Sequence, residues 1–358
     1  MSKFYPLTVS TVRQETRDTI SVTFEVPVEL AEAFAYQQGQ HLTLRTQIGE
    51  DDVRRSYSIC SAVQDKCLRV AIKRTTGGLF SSWANANLKA GHQLEVMPPM
   101  GHFNVPLDPS QGRHYAAFAA GSGITPILSI IKTTLMTEPN STFTLYYGNR
   151  ASSSVIFRDE LGELKDTYLE RLNIVYVMSR EQQDIELFNG RITKEKVEQL
   201  LKHWTPVEDI DVAFICGPED MMLGVSAALQ EAGMPKENIK VELFAASIPK
   251  HQHKPRVLDA DARHDTEVTV ILDGNATTFT MEKEKESLLD AGLKAGIDMR
   301  YSCKGGVCST CRCKVVDGKV EMDVNYALED YEVARGFVLS CQSFPVTDKV
   351  VVDFDQAE

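Results

Sequence analysis

Three cysteines crowd one short stretch, Cys303-Lys-Gly-Gly-Val-Cys308-Ser-Thr-Cys311, and a fourth, Cys341, follows in Leu339-Ser-Cys-Gln342. No other feature restricts the chain as much. The C-x4-C-x2-C…C spacing is one with which four thiolates hold a [2Fe–2S] cluster. Thiolates are soft ligands suited to such clusters, and three of them on one tight loop wrap a cluster with few ordered residues. Gly305 and Gly306 lie where the backbone must bend and where bare N–H groups can point at sulfur. Zinc is a rival reading, but zinc knuckles favour paired C-x2-C units and only one such step occurs here. Disulfides need an oxidising compartment, for which the N-terminus gives no sign. Cys313 alternates with Cys311 on an outgoing strand and reads as packing. A cluster of this kind carries one electron and binds no substrate, so the remaining chain has to account for the electron's source and destination.

With 358 residues the chain predicts two or three domains. Its opening, Met1-Ser-Lys-Phe-Tyr-Pro-Leu-Thr-Val-Ser10, lacks the apolar core of a signal peptide. The weakly charged stretch from Tyr115 to Ile131 is broken by Gly121-Ser-Gly-Ile-Thr-Pro126, which suits a buried strand turning into a helix and not a membrane span. With eight cysteines and no targeting segment, the expectation is a reducing cytoplasm. Of the formal charge of −12, the residues from Asp265 onward carry −8, with 18 acidic and 10 basic side chains. That balance argues against nucleic acid and for a partner with a basic docking face, or else for plain solubility.

The periodicity divides the chain. Over residues 1–108, short alternating β-branched runs (Ile20–Val26, His41–Leu44, Leu68–Ile72) separated by turn residues predict an antiparallel barrel. Over residues 109–245, apolar runs (Tyr115–Ala120, Thr142–Tyr147, Leu172–Val177, Val212–Ile215, Ile239–Leu243) alternate with helical stretches. This predicts an α/β domain with a parallel sheet and ligand sites at its strand C-termini. Residues 246–264, with two prolines and mixed charge, read as a linker; His251 and His253 in it read as solvated and not as metal ligands. Residues 265–358 pair Val268–Leu272 with Thr277–Met281 across Asp273-Gly274, then continue into a helix from Ser287 to Ala295 and the cysteine loop.

Gly121-Ser-Gly123-Ile-Thr125-Pro126 follows a buried strand and opens a helix, where unpaired N–H groups favour an anion. Alone it is a weak signal. The strand Val212–Ile215 adds a second turn, Cys216-Gly217-Pro218 with Met221 beyond it, and two such turns would frame a dinucleotide across a sheet crevice. In the first block, Arg55-Ser56-Tyr57-Ser58 offers a cation for a pyrophosphate, an aromatic face and a hydroxyl for a ring edge. Gly78-Leu79-Phe80-Ser81 could hold the same pyrophosphate by backbone amides and a hydroxyl. The plain alternative for Tyr57 is a barrel aromatic, and for Cys216 a buried strand-end cysteine.

Taken in order, Arg-x-Tyr-Ser, Gly-x-x-Ser, Gly-x-Gly-Ile-Thr-Pro and Cys-Gly-Pro resemble the ferredoxin–NADP reductase superfamily. A plant-type ferredoxin domain joined behind that module resembles the reductase components of bacterial multicomponent oxygenases, and the similarity runs along nearly the whole chain. The resemblance implies an FAD-binding β-barrel, an NAD(P)-binding domain and a β-grasp ferredoxin domain. It implies Tyr57 and Ser58 at the flavin ring, with Arg55, Ser56, Ile72, Lys73, Gly78, Leu79 and Ser81 around the FAD and Phe244 at its other face. It places Thr125 and Cys216 beside the nicotinamide as the catalytic pair, with Gly121, Gly123, Pro126, Gly217, Pro218 and Met221 around the nucleotide. Cys303, Cys308, Cys311 and Cys341 are the implied cluster ligands. Ser179-Arg180-Glu-Gln after the third strand resembles a 2′-phosphate-binding segment. With Arg150 after the second strand and no acid directly behind it to grip a ribose diol, NADPH is the expected donor, NADH the alternative.

The implied function is to move electrons from a pyridine nucleotide through FAD and the cluster to a di-iron oxygenase that acts on the ring of an aromatic thioester. The reductase of another aromatic oxygenase or monooxygenase is the alternative. A redox-sensing iron–sulfur protein would need no flavin or nucleotide site, and a flavin oxidase would need no cluster. No paired carboxylates, Ser–His dyad or metal-activated water is called for.

Overall fold

The computed structural model describes residues 4–244 and 264–356, so all but the last residue of the expected linker, with His251 and His253, lies outside the described residues. The described chain forms two compact bodies, one mainly of residues up to 244 and one mainly of residues from 264 on.

The first body begins with β1 (Tyr5–Thr16), β2 (Thr19–Glu25), β3 (His41–Ile48), β4 (Asp51–Ser58) and β5 (Leu68–Lys73), then helix α1 (Leu79–Asn87) and β6 (Gln93–Met100). The sheet order is β4-β3-β6-β1-β2-β5, and a bridge from Ile59, just past β4, to Val70 of β5 joins the two outer strands into the expected antiparallel barrel. Its interior is the inward half of the alternating runs: Leu7, Val9, Ile20, Val22, Leu42, Leu44, Val70, Ile72 and Val96, all buried. β4 begins in a charged run, Asp51-Asp-Val-Arg-Arg55. Only Val53 and Arg54 in that run are buried while Asp51, Asp52 and Arg55 face solvent, a pattern an outer strand tolerates.

Strand–helix alternation follows: β7 (His114–Ala120), α2 (Ile124–Thr137), β8 (Thr142–Asn149), α3 (Arg158–Thr167), β9 (Leu172–Met178), α4 (Lys194–His203), β10 (Val212–Gly217), α5 (Glu219–Glu231) and β11 (Ile239–Leu243). All neighbours are parallel, in the order β11-β10-β7-β8-β9. From β7 the chain builds outward on one side through β8 and β9, then crosses back to lay β10 on the other. The sheet therefore reverses direction between β7 and β10, which is where open α/β sheets bind ligands. Helix α2 is buried for nearly its whole length, and Pro126 sits in its first turn, where its missing N–H breaks no helical bond.

Barrel and parallel sheet are fastened by an ion network. Lys132 of α2 reaches Asp65, which precedes β5, at 2.5 Å and Glu160 of α3 at 2.9 Å. Arg69 of β5 grips both oxygens of Glu160 at 2.8 Å and lies over the Phe157 ring. Ser129 Oγ adds a bond to the Ser61 carbonyl at 2.7 Å. These four charged side chains are largely screened from water, so each depends on the others for solvation.

The second body holds β12 (Asp265–Leu272), β13 (Asn275–Glu282), α6 (Leu288–Lys294), β14 (Arg312–Asp317), β15 (Val320–Met322), α7 (Asp330–Ala334), β16 (Phe337–Leu339), β17 (Ser343–Pro345) and β18 (Lys349–Asp353). The main sheet runs β13-β12-β18-β14-β16, with β12 and β18 parallel, and β15 pairs with β17. The expected hairpin forms with Asp273 (φ 53°) and Gly274 (φ 74°) both left-handed, the two-residue turn whose twist suits adjoining strands. Ser287 caps α6 by accepting from the Asp290 N–H at 3.2 Å. The core of Val268, Val270, Leu288, Leu289, Met299, Val350 and Val352 lies between sheet and helix, as in a β-grasp domain. Among the described residues no helix is long and apolar enough to cross a membrane.

Glu160→Ala strands Lys132 and Arg69 as partly buried cations. The expected loss is about 2–3 kcal/mol, seen as a fall of roughly 5–10 °C in the unfolding midpoint of the first body by circular dichroism.

Candidate functional site

The sheet reversal is built by two closely packed glycine turns, of which Gly123 leaves no room for any side chain. Gly123 lies so close to β10 that a Cβ there would fall 2.0 Å from the Cys216 carbonyl oxygen. Gly121 is left-handed at φ 55°, and Tyr147 Oη pins its carbonyl at 2.9 Å. On the opposing turn, a Cβ on Gly217 would meet Met221 Cε at 2.6 Å and Ala120 Cβ at 3.2 Å. The two loops singled out in the sequence are thus interlocked at the C-terminal ends of adjacent strands, with Ala119 of β7 and Cys216 of β10 in register. Thr125 Oγ1 donates to the Ser122 carbonyl at 3.0 Å, which closes the turn that opens α2. Pro218 leads α5, and Met221 fills its first turn.

Cys216 is fully buried, and burial first, then the charge of Glu242, pushes its thiol well above the ordinary range. It stays a neutral wall group at any physiological pH. Glu242 was missed by the sequence reading. It stands opposite Cys216 in the β10–β11 register and accepts a bond from Ser58 Oγ at 3.0 Å. A carboxylate near the end of a short edge strand was the available signal, but only the fold reveals its partner. This bond joins the barrel's Arg-x-Tyr-Ser strand to the nucleotide sheet beside Cys216. Phe244 follows directly after β11, half-buried against the nucleotide-domain core.

On the barrel, Tyr57 is half-buried, its ring 5.6 Å from Phe80 of α1. Arg55 is exposed and donates to its neighbour's carbonyl at 2.7 Å. Ser56 lies between them in β4. Ile72 is buried at the end of β5, and Lys73 reaches toward the nucleotide turn: a Cβ on Gly121 would lie 3.6 Å from Lys73 Nζ. Gly78 caps α1 without a side-chain bond, and a Cβ there would strike Thr75 Oγ1 at 2.2 Å and Ser81 Oγ at 2.5 Å. The Ser81 hydroxyl closes this turn by accepting from the Thr75 N–H at 3.2 Å, while Leu79 is exposed. The uncapped N–H groups at the head of α1 suit an anion.

At the far side of the sheet, Arg150 and Ser179-Arg180 come together beyond β8 and β9. Ser179 and Arg180 donate their N–H groups to the Asn149 and Arg150 carbonyls at 2.9 and 2.8 Å. Both arginine side chains face solvent. A carboxylate does enter this corner, although none follows β8 directly: Glu181 accepts from the Ser152 N–H at 2.7 Å and from the Ser152 hydroxyl. Those two bonds hold its carboxyl below its usual range.

In the second body, the cysteine loop bends at Lys304 (φ 53°), Gly306 (φ 76°) and Ser309 (φ 50°). Gly305 instead contributes its N–H, which points at Cys303 Sγ at 3.3 Å. Cys303 lies against Cys308, and Cys311 against Cys341; each contact, together with burial, pushes the thiol well above the ordinary range. Among the described residues no three Cys, His, Asp or Glu side chains converge as on a single ion. Two pairs of thiols are what two irons with two thiolates each require. The donor set fits, because bound iron would stabilise the thiolates that crowding and burial disfavour. Cys313 is fully buried in the core of the sheet, as packing predicts.

The chain matches the oxidoreductase FAD-binding domain family over residues 6–105, the oxidoreductase NAD-binding domain over 118–227, and the 2Fe-2S iron-sulfur cluster binding domain over 270–346. It is 47% identical to one of the subunits of the 1,2-phenylacetyl-CoA epoxidase of Escherichia coli (strain K12) over 357 residues, 99% of each chain. It is 39% identical to the 3-ketosteroid-9-alpha-monooxygenase ferredoxin reductase component of Rhodococcus rhodochrous, over 97% of this chain and 96% of that one. Among solved structures, phthalate dioxygenase reductase shares the fold, at a TM-score of 0.58 and 23% identity over 98% of both chains.

Cys216→Ser is expected to slow reduction of the bound flavin by nucleotide about tenfold, since small misplacements at a transfer site cost that much or more. Its pH profile between 6 and 9 should not change, as neither thiol nor hydroxyl ionises there; stopped-flow absorption checks both.

Proposed function

We propose, on the premise that the chain belongs to the family of oxygenase reductases joining FAD-binding, NAD-binding and 2Fe-2S domains, that it draws electrons from NADPH and delivers them to the di-iron oxygenase of a phenylacetyl-CoA epoxidase system in phenylacetate degradation. The chain is an NAD(P)H-dependent oxidoreductase. The choice of partner is carried by identity of 47% across 99% of both chains to a component of such an epoxidase. A reductase for a different oxygenase is the second reading, favoured by the 39% likeness to a ketosteroid monooxygenase component. The domains in this proposal are residues 1–108, 109–245 and 265–358, with the linker between the last two. The eight cysteines form no disulfide, which suits work in the cytoplasm.

The observation that supports the site is the meeting of three elements in one body: the interlocked Gly123 and Gly217 turns, Cys216 at the reversal, and Ser58 tied to Glu242 beside it. In this reading Tyr57 and Ser58 border the flavin ring, with Phe244 at the opposite face. Arg55, Ser56, Ile72, Lys73, Gly78, Leu79 and Ser81 hold the rest of the FAD. Gly121, Gly123, Pro126, Gly217, Pro218 and Met221 shape the nucleotide crevice, while Thr125 and Cys216 seat the nicotinamide. When bound, nucleotide and flavin supply transfer of an electron pair, and flavin and cluster its delivery as single electrons. The protein's part is to hold the two rings face to face and exclude water, and neutral Cys216 adds no charge to resist close approach. The Glu242 carboxylate fixes the Ser58 hydroxyl, so the barrel strand and the nucleotide sheet keep one spacing. Cys303, Cys308, Cys311 and Cys341 would hold the cluster as two pairs.

Arg150, Ser179 and Arg180 are the proposed 2′-phosphate contacts. Arg180→Ala is expected to lower kcat/KM for NADPH about tenfold, the loss of one charge-assisted contact, and to leave NADH within about twofold. An unchanged preference between the two would remove Arg180 from that site. The function itself is tested by mixing the purified holoprotein with the epoxidase oxygenase and following NADPH oxidation. Phenylacetyl-CoA-dependent turnover is expected; turnover only with a different aromatic oxygenase would establish the second reading.

A further inference from the structure

One glutamine ties the segment that carries Cys341 to the loop that carries the other three cysteines. Cys311 and Cys341 are joined through the backbone, where the Ser340 N–H donates to the Cys311 carbonyl at 3.1 Å. Cys303 and Cys308 share the long cysteine loop with Cys311. From the position after Cys341, Gln342 Nε2 donates to the Lys304 carbonyl at 2.9 Å, in the middle of that loop. The same nitrogen lies 3.8 Å from Cys341 Sγ, within reach of a weak hydrogen bond to sulfur. The side-chain stem packs on the bend itself, since a Cβ on Gly306 would lie 3.1 Å from Gln342 Cγ. The Gln342 carbonyl accepts from the Asp323 N–H at 2.9 Å, and the Tyr326 N–H donates to Gly306 at 3.0 Å, so the segment behind both loops is anchored to the same residue and its neighbour.

We infer that Gln342 is a positioning residue for the [2Fe–2S] cluster: its amide sets the spacing between the two cysteine pairs and donates to the Cys341 sulfur. The donation to sulfur favours the reduced cluster. Reduction adds negative charge to the cluster and its thiolates, and an N–H aimed at sulfur stabilises that charge. Lys304 cannot take over, because its ammonium is committed to Asp290 at 2.8 Å and lies over the Tyr301 ring. The inference rests on the cluster reading of the four cysteines, and not on which oxygenase is served or which nucleotide is used.

The test uses full-length holoprotein carrying Gln342→Met, which keeps the side chain's length and removes its donors. Redox titration followed by electron spin resonance reads the cluster, while flavin reduction by nucleotide serves as an internal check of folding. The expected result is a cluster reduced about tenfold less at a given poise, ~59 mV lower for this one-electron couple. An altered resonance signal and faster iron release to a chelator should accompany it, at normal flavin reduction. Wild-type potential, signal and iron release in Q342M would overturn the inference. If Q342M fails to load iron while its flavin site works, the spacing role stands, and Gln342→Leu, uncharged and without donors, decides the donor role. A Q342L potential equal to wild type overturns it; a lowered one supports it. Failure of the cluster reading itself would appear separately, as wild-type protein without two irons per chain.

Discussion

The larger body hangs on a contact between two backbones. Where the chain leaves β7, Gly123 presses against the Cys216 carbonyl at the end of β10, a separation that leaves no room for a single methyl group. The contact brings two strand ends far apart in sequence within one atom's width. It also fixes the direction of α2, whose apolar length is swallowed by the core on both sides. Through α2 the constraint reaches the barrel, because Lys132 and Ser129 on that helix hold Asp65 and the Ser61 carbonyl of the segment entering β5. Barrel and sheet therefore share one set of coordinates. A transfer reaction whose rate falls steeply with ångström-scale misplacement benefits from that rigidity.

Elements with strong local signals were legible in the sequence. The strand–helix alternation, the Asp273-Gly274 hairpin and the Ser287 helix start follow from period and turn chemistry, and the structure forms each of them. The cysteine spacing carried the same kind of local information. What escaped were partners brought together only by folding. Glu242, Glu181 and Gln342 are ordinary polar residues in sequence; their meaning comes from Ser58, Ser152 and Lys304, each remote along the chain. The cysteine loop bends where the two glycines predicted a bend, and a bare N–H, that of Gly305, points at sulfur; that Lys304 shares the left-handed turn with Gly306 was not legible.

Electrostatics divides the labour in an uneven way. Around Cys216 the thiol is neutral and the nearby Glu242 carboxylate is engaged by the Ser58 hydroxyl. At the outer corner the structure gathers charge, with two exposed arginines and a carboxylate bound to Ser152. The first arrangement suits the close approach of two rings, the second the capture of a highly charged ligand from water. In the proposed reading, one nucleotide spanning both regions would be gripped at its charged end by Arg150 and Arg180.

Each body has hydrophobic packing of its own: that of the first includes two clusters bound together by the Lys132–Glu160 network, and that of the second a separate one with Cys311, Cys313 and Cys341. Stability is accordingly not one number for this chain. Damage confined to the second body, by oxidised thiols or lost iron, would not touch the core clusters or the ion network of the first. Such a molecule would still drain the reductant pool while serving no oxygenase, and its reduced flavin would be open to dioxygen. A chain half broken in this way would consume reductant that a wholly unfolded one could not.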